Sequence, residues 1–292
     1  MSPDFANTGI GVLMRGEKLT EIPAARLVNA CRTLAYLALL ALMPIDGQAT
    51  HRVGPNTRFN HLTIEDGLLQ NSAIDILQDK TGFIWIATEA GLHRYDGYGF
   101  TVFRNDSTDA GSLQDNHINV LFEDSHSNVW VGTYAGGLHR FNPATQDFDS
   151  FRHDPSNPDS LSNDYVRAVA EDEAGYLWVA TFSGLDVLDP NTGSVEHVRV
   201  EDETGSLQSE FSPWSIYVDA DSRIWVGTVD GLFVYDEKTS TIHPAGNTPQ
   251  QAKILAKNSA SAIVEDFDGT LWIGMYGMLV HLDTERNVSR VY

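Results

Sequence analysis

Two histidines stand at matching places in near-identical phrases, His93 in GLHRY and His139 in GLHRF, each followed by an arginine, Arg94 and Arg140. Acid–base catalysis or metal binding would need the imidazoles to converge, because proton transfer and ligation both act over hydrogen-bond distances. Equivalent positions in successive copies of a repeat are instead displaced from one another. Acidic clusters are more numerous: Glu123-Asp124, Glu171-Asp172-Glu173, Asp219-Ala220-Asp221 and Glu265-Asp266-Phe267-Asp268-Gly269. An Asp-x-Asp pair could begin a calcium loop, yet the full series of oxygen ligands and the distal bidentate glutamate are missing. The same residues suit turns, where a carboxylate accepts from nearby backbone N–H groups. The sequence carries no Gly-rich phosphate loop, zinc-protease helix or nucleophile elbow. With the single cysteine Cys31 it has no thiolate cluster for zinc. It thus calls for no catalytic residue, metal or cofactor.

What positions these groups is a repeat. FIWIAT around Trp85, NVWVGT around Trp130, YLWVAT around Trp178, RIWVGT around Trp225 and LWIGM around Trp272 align at intervals of 45, 48, 47 and 47 residues. That period suits four short strands with their turns. In the first copy 73–79 reads as a strand, 83–88 as a second, 92–96 as a third and 99–103 as a fourth, with turns at Gly82, Gly91 and Gly97. Gly82, Gly175 and Gly269 before the second strand, and Gly91, Gly137, Gly184, Gly231 and Gly277 before the third, suit turns that need left-handed backbone or close approach. A lone meander leaves both faces wet, whereas blades stacked about an axis bury them, which suits strands apolar on both sides. The expectation is an all-β fold, a β-propeller of four-stranded antiparallel blades. The five tryptophans are then packing between blades.

Composition narrows the function. Hydrophobic residues make up 42% of the 292 positions, enough for a sizeable core. Nineteen basic residues against 40 acidic ones give a net charge of −21, and the whole acidic excess falls after residue 50. Such a surface repels phosphate backbones, and with no basic stripe carrying interleaved aromatics the expectation is no nucleic-acid partner.

The connections 105–116, 153–163, 201–211 and 246–258 are long and polar, and three carry Ser-Leu (Ser112-Leu113, Ser160-Leu161, Ser206-Leu207), the leucine reading as an anchor beneath its loop. In an up-and-down blade these connections share one face with the turns between strands two and three, forming a mouth. Those turns offer Glu89, Tyr134, Phe182, Asp230 and Tyr276, with Trp214 on the innermost strand of the fourth copy. Unlike the blade tryptophans they differ from copy to copy, as a recognition face on a repetitive scaffold should. A small molecule or an oligosaccharide, held by ring stacking and acceptor hydrogen bonds, is the expected ligand.

The opening RFNHLTIEDGLLQNSAIDILQDKTGFIWIATEAGLHRYDGYGFTVF (58–103) resembles the two-component regulator propeller family, and NHINVLFEDSHSNVWVGTYAGGLHRFNP, NDYVRAVAEDEAGYLWVATFSGLDVLDP and SPWSIYVDADSRIWVGTVDGLFVYD repeat the pattern, covering about residues 58–292. The resemblance implies the periplasmic ligand-sensing region of a hybrid histidine kinase or membrane diguanylate cyclase. It also implies further blades, to about seven in all, and an output module lying outside this chain. An extra leading strand at 59–62 points the same way, a closed five-bladed ring being the alternative. Residues 51–292 are expected to form the propeller, with blades at about 71–103, 116–151, 163–200, 211–243 and 258–292.

Residues 1–50 read as a leader or an N-terminal anchor. Arg15, Lys18, Arg26 and Arg32 precede the apolar run LAYLALLALM (34–43) and a small-residue stretch at 47–49. A membrane span needs about 20 apolar residues and a secretory leader about 7–15, so the run fits export, with an uncleaved anchor or a buried helix as alternatives. Membrane attachment would come through this segment or a downstream helix, and a homodimer stays open. Two further functions remain in view: an enzyme, a lyase or hydrolase, acting at the central mouth, and a scaffold for protein partners.

Overall fold

The computed structural model describes residues 61–200, 211–256 and 258–292. The expected leader or anchor and the connection 201–210, with Ser206-Leu207, lie outside them, as does Phe59 of the extra leading strand; His61 and Leu62 are not in a strand.

Five sheets follow one another along the chain. The first joins β1 (Asp75–Gln78), β2 (Ile84–Thr88), β3 (Gly91–Tyr95) and β4 (Phe100–Phe103), and the second β5 (Ile118–Glu123), β6 (Val129–Thr133), β7 (Leu138–Asn142) and β8 (Asp147–Phe151). The third joins β9 (Val166–Glu171), β10 (Leu177–Thr181), β11 (Leu185–Leu188) and β12 (Val195–His197). After the short β13 (Arg199–Val200) come β14 (Pro213–Val218), β15 (Ile224–Thr228), β16 (Gly231–Asp236) and β17 (Thr241–Pro244), then β18 (Ala260–Glu265), β19 (Leu271–Met275), β20 (Met278–Leu282) and β21 (Val288–Val291). Each sheet pairs its four strands antiparallel in chain order, because turns this short allow a hairpin but no crossover. First strands contact first strands from sheet to sheet, β1 with β5, β5 with β9, β9 with β14 and β14 with β18, which places them innermost about an axis. The fold is a β-propeller.

The second strands β6, β10 and β15 are buried at every residue, since each lies between two sheets and must be apolar on both faces. Trp85 packs with Leu113, Ile118 and Val131 of the second blade, Trp130 with Leu161 and Val166 of the third, Trp178 with Val226 and Phe233 of the fourth, and Trp225 with Leu271 and Ile273 of the fifth. Each indole N–H then needs an acceptor, and an aspartate six residues earlier supplies it: Asp79, Asp124, Asp172 and Asp219 accept the hydrogen bonds of Trp85, Trp130, Trp178 and Trp225 at 2.7–2.9 Å. The other carboxylate oxygen accepts backbone N–H groups, as Asp124 does from Asn128 and Asp172 from Ala174 and Tyr176. The acidic turns are therefore turn closures, and in the first four blades also indole clamps.

Adjacent turns are latched in the same repetitive way. The N–H of Lys80 donates to Glu123, that of Ser125 to Glu171 and that of Ala220 to Glu265, each glutamate coming from the next blade. At the far end of the second strands the hydroxyls of Thr88, Thr133, Thr181 and Thr228 donate to the carbonyls of Gly91, Gly137, Gly184 and Gly231.

The structure corrects four expectations. Trp272 is half-buried rather than sealed between blades; among the described residues it stacks on Tyr292 and packs at a tilt against His281, both of its own blade. Gly184 keeps an ordinary φ while Gly91, Gly137, Gly231 and Gly277 are left-handed. The stretch ending at residue 200 splits, since β13 leaves the third sheet and runs parallel to β17 as a fifth strand of the fourth. The connection 246–258 contains a helix, α1 (Pro249–Leu255), started by Thr248, whose side chain accepts from the N–H of Gln251, with proline in the first turn.

Candidate ligand-recognition face

The loops of the mouth are held by side chains that recur. Leu68, Leu113, Leu161 and Leu255 all lie eleven residues before a turn aspartate and are all buried. The leucine is thus an anchor as expected, and Leu255 fills the position from a helix, without a serine before it. The serine of the Ser-Leu pair closes the loop: the hydroxyls of Ser112 and Ser160 accept the N–H of Asp106 and of Asp154, both at 2.9 Å.

His93 and His139 hold the same loops from below. Both are fully buried; Nε2 of His93 accepts the N–H of Leu69 at 2.9 Å and Nε2 of His139 that of Gln114 at 3.1 Å. In the third blade Asp186 takes this place and accepts from the N–H and hydroxyl of Ser162. An imidazole can accept only when neutral. Burial disfavours its charged form, depressing His93 below its ordinary range and carrying His139 down to about 4. These histidines serve one loop each and do not form an acid–base pair. Asp186 acts oppositely on its other neighbour: its hydrogen bond raises the pKa of His197.

Above the anchors lies a continuous ribbon of rings across three blades. His117 stacks on Tyr134 at 5.2 Å, Tyr134 packs against Tyr165 at 4.6 Å, and Tyr165 lies parallel to Phe182 at 6.1 Å. The guanidinium of Arg167 sits over Tyr165 at 4.8 Å and Phe182 at 4.9 Å, and over Trp214 of the fourth blade at 4.0 Å. Arg167 also donates through one Nη to the Ser212 hydroxyl and the Pro213 carbonyl. Cation–π contacts of this kind contribute about 0.5–2 kcal/mol each. Backbone pairing sets the register, since Tyr134 donates to the carbonyl of His117 and Phe182 to that of Tyr165. Tyr134, Phe182 and Trp214 nevertheless leave 51%, 54% and 40% of their surface exposed. Fixed, solvent-facing rings beside a stacked cation can receive flat apolar faces and hydrogen-bond acceptors.

Of the six candidates read from the sequence, the structure joins Tyr134, Phe182 and Trp214. Glu89 accepts from Gln70 instead. Asp230 is exposed, with its N–H held by Thr228. Tyr276, 84% exposed, has no ring neighbour among the described residues. Sequence reasoning missed His117, Tyr165 and Arg167. The signal was available at the same phases of the innermost strands: seven residues before the turn aspartate the copies carry Ser72, His117, Tyr165, Ser212 and Ser259, and five before it Ile74, Asn119, Arg167, Trp214 and Ser261. These positions vary as freely as the turns do.

Five stretches of the chain, 67–90, 112–135, 160–183, 206–230 and 254–277, match the model of the two component regulator propeller. The chain thus carries five two-component regulator propeller repeats. A histidine kinase, P4, of Formosa agariphila is 45% identical over 58 residues, which is 20% of this chain and 4% of that kinase. The regulator propeller superposes on the extracellular domain of a putative hybrid two component system from B. thetaiotaomicron with a TM-score of 0.66 at 27% identity, covering 79% of this chain and 31% of the other. It shares its fold with the extracellular domain of a putative one component system from the same organism, at TM-score 0.63 and 22% identity over 80% of this chain and 33% of that one. The chain thus spans about a third or less of each of these proteins. It is a sensor-type propeller module, and no helix of the described residues is long and apolar enough to cross a membrane.

Proposed function

We propose that this regulator propeller is the ligand-sensing part of an exported signalling receptor, and that the ribbon His117–Tyr134–Tyr165–Phe182–Arg167–Trp214 receives the ligand. The observation that carries the reading is the ribbon itself: exposed rings in mutual contact across three blades, on positions that vary while the scaffold repeats. An oligosaccharide fits this surface, its C–H faces lying on the rings and its hydroxyl or carboxylate oxygens meeting the Arg167 guanidinium. The module senses without catalysing; the histidines that could transfer protons are each bonded to a separate loop. The leader-like sequence of residues 1–50 and the likeness to extracellular domains of two-component systems support a periplasmic location. They also support an output of histidine-kinase type, with a diguanylate cyclase as the other output the family resemblance allows.

Titrating the chain with a panel of neutral and acidic oligosaccharides while following tryptophan fluorescence tests this. A bound sugar is expected to change the emission of Trp214, and Trp214→Phe to remove that change while binding persists. A panel that binds nowhere, or binds equally after Tyr134, Phe182 and Trp214 are all replaced by alanine, would refute the assignment.

A further inference from the structure

The seam between the third and fourth blades departs from the others in two independent ways. Across the sheet each blade tryptophan faces a residue of the third strand: Arg94 opposite Trp85, Arg140 opposite Trp130, Val187 opposite Trp178 and Val234 opposite Trp225. In the first two seams the guanidinium lies 5.6 Å from the indole and reaches the next blade, Arg94 over the ring of Phe141 and Arg140 donating to the Pro190 carbonyl at 2.9 Å. In the fourth seam the arginine comes from the other side: buried Arg286 of the fifth blade donates to Asp219 at 2.9 Å and to Glu265 at 2.9 Å. Three seams therefore carry an arginine of the chain's own.

The third seam carries the aromatic and acidic groups without one. Val187 stands where Arg94 and Arg140 stand in the first two seams, Trp178 being sealed by its packing with Tyr235, Val226 and Phe233, and the glutamate that latches the turn of the preceding blade is replaced by Val218. A cavity of about 780 Å³ opens there, walled by Trp178, Tyr176 and Tyr235 and edged by Asp172, Glu196 and Glu237. The corresponding space between the second and third blades, where Arg140 lies, holds about 300 Å³. Trp178 and Tyr235 meet edge to face at 4.7 Å, a fixed aromatic corner. Glu196 and Glu237 are exposed and form no salt bridge among the described residues, while of the basic groups on the wall Arg199 is exposed and lies over none of these rings and His197 is bonded to Asp186.

We propose that this cavity binds a guanidinium group supplied from outside, the ligand completing the seam as Arg94, Arg140 and Arg286 complete theirs. A planar cation stacks on an aromatic ring, here exposed Tyr176 or partly exposed Tyr235, and forks to carboxylates, whereas an ammonium offers only a point charge, so the site distinguishes arginine from lysine chemistry. It is separate from the ribbon, and variants of one leave the other intact.

The test titrates the full 292-residue chain by calorimetry with methylguanidinium and with the blocked peptide acetyl-Gly-Arg-Gly-amide, and with its lysine counterpart. Both guanidinium compounds binding identifies a small-molecule ligand; only the peptide binding identifies an arginine presented by a polypeptide. In either case the lysine peptide is expected to bind at least fivefold more weakly. Val187→Arg, which places the chain's own guanidinium in the cavity, should weaken binding at least tenfold and raise the melting temperature. The exposed pair Glu196→Gln/Glu237→Gln should weaken binding at least tenfold in a protein that melts like the original. The proposal is overturned if neither guanidinium compound binds at millimolar concentration, if the lysine peptide binds as well, or if the glutamine pair binds unchanged.

Discussion

At one end of the first four blades the chemistry repeats almost atom for atom; at the other it changes from blade to blade. The turn end carries aspartate, indole and latch: Asp79 with Trp85, Asp124 with Trp130, Asp172 with Trp178 and Asp219 with Trp225. The mouth end carries Ser72, His117, Tyr165, Ser212 and Ser259 at a single phase. A side chain that must satisfy a buried indole has one acceptable chemistry, because an unmade buried hydrogen bond costs about 1–3 kcal/mol. A side chain facing solvent at a mouth is free to follow a ligand. Recurrence therefore marks what holds the propeller together, and its lapse marks what recognises.

The contrast breaks most severely if a sealed tryptophan is truncated. Trp130→Ala should cost about 3–5 kcal/mol in urea denaturation, the range for losing a fully buried aromatic. Trp272→Ala should cost less than half as much, since Trp272 is half-buried.

Acid should come next. Burial depresses His139 to about 4 from an ordinary 6.5, so between those values the unfolded chain binds the proton that the folded chain refuses. Stability from this residue is complete above about pH 6.5 and falls as pH drops toward 4, by about 3 kcal/mol in all. Burial of His93 acts in the same direction. Unfolding curves at several pH values should show a shallower acid slope for His139→Gln than for the original chain.

Removing the clamp acceptor should be the next smaller effect. Asp124→Ala leaves the Trp130 indole and the Asn128 N–H without acceptors, a loss of about 2–3 kcal/mol. Glu171→Ala, which releases only the half-exposed latch to Ser125, should cost about 1 kcal/mol. Equal costs for the two would mean that the buried clamp has no special weight.

The regular half of this division was legible in the sequence. Tryptophans at intervals of 45 to 48 residues, glycines at the turns and leucines in the connections fix the blades and their anchors, because burial at a fixed phase tolerates few residue types. The aspartate six residues before each tryptophan was equally regular, though its partnership with the indole needs the curl of the hairpin to be seen. Three things were hidden. The imidazoles of His93 and His139 look reactive in a sequence, and only their burial beneath Leu69 and Gln114 shows them to be acceptors. The helix at Pro249–Leu255 sits in a polar connection whose large apolar residues, the adjacent Ile254 and Leu255, are too few to show helical periodicity. The ribbon joins residues far apart in the chain, and the propeller alone makes neighbours of Tyr165, Phe182 and Trp214.

The ribbon gives the most direct test. The triple variant Tyr134→Ala/Phe182→Ala/Trp214→Ala removes three half-exposed rings, two of them under the Arg167 guanidinium, and should cost about 1–2 kcal/mol of unfolding free energy, less than the loss of Trp130 alone. Measured side by side on that variant and the original chain, urea denaturation should give a single cooperative transition at modestly lower urea while calorimetric titration with a bound oligosaccharide loses its signal. A variant that loses as much stability as Trp130→Ala, or that binds the sugar with undiminished affinity, would contradict the separation of holding from recognising on which the account rests.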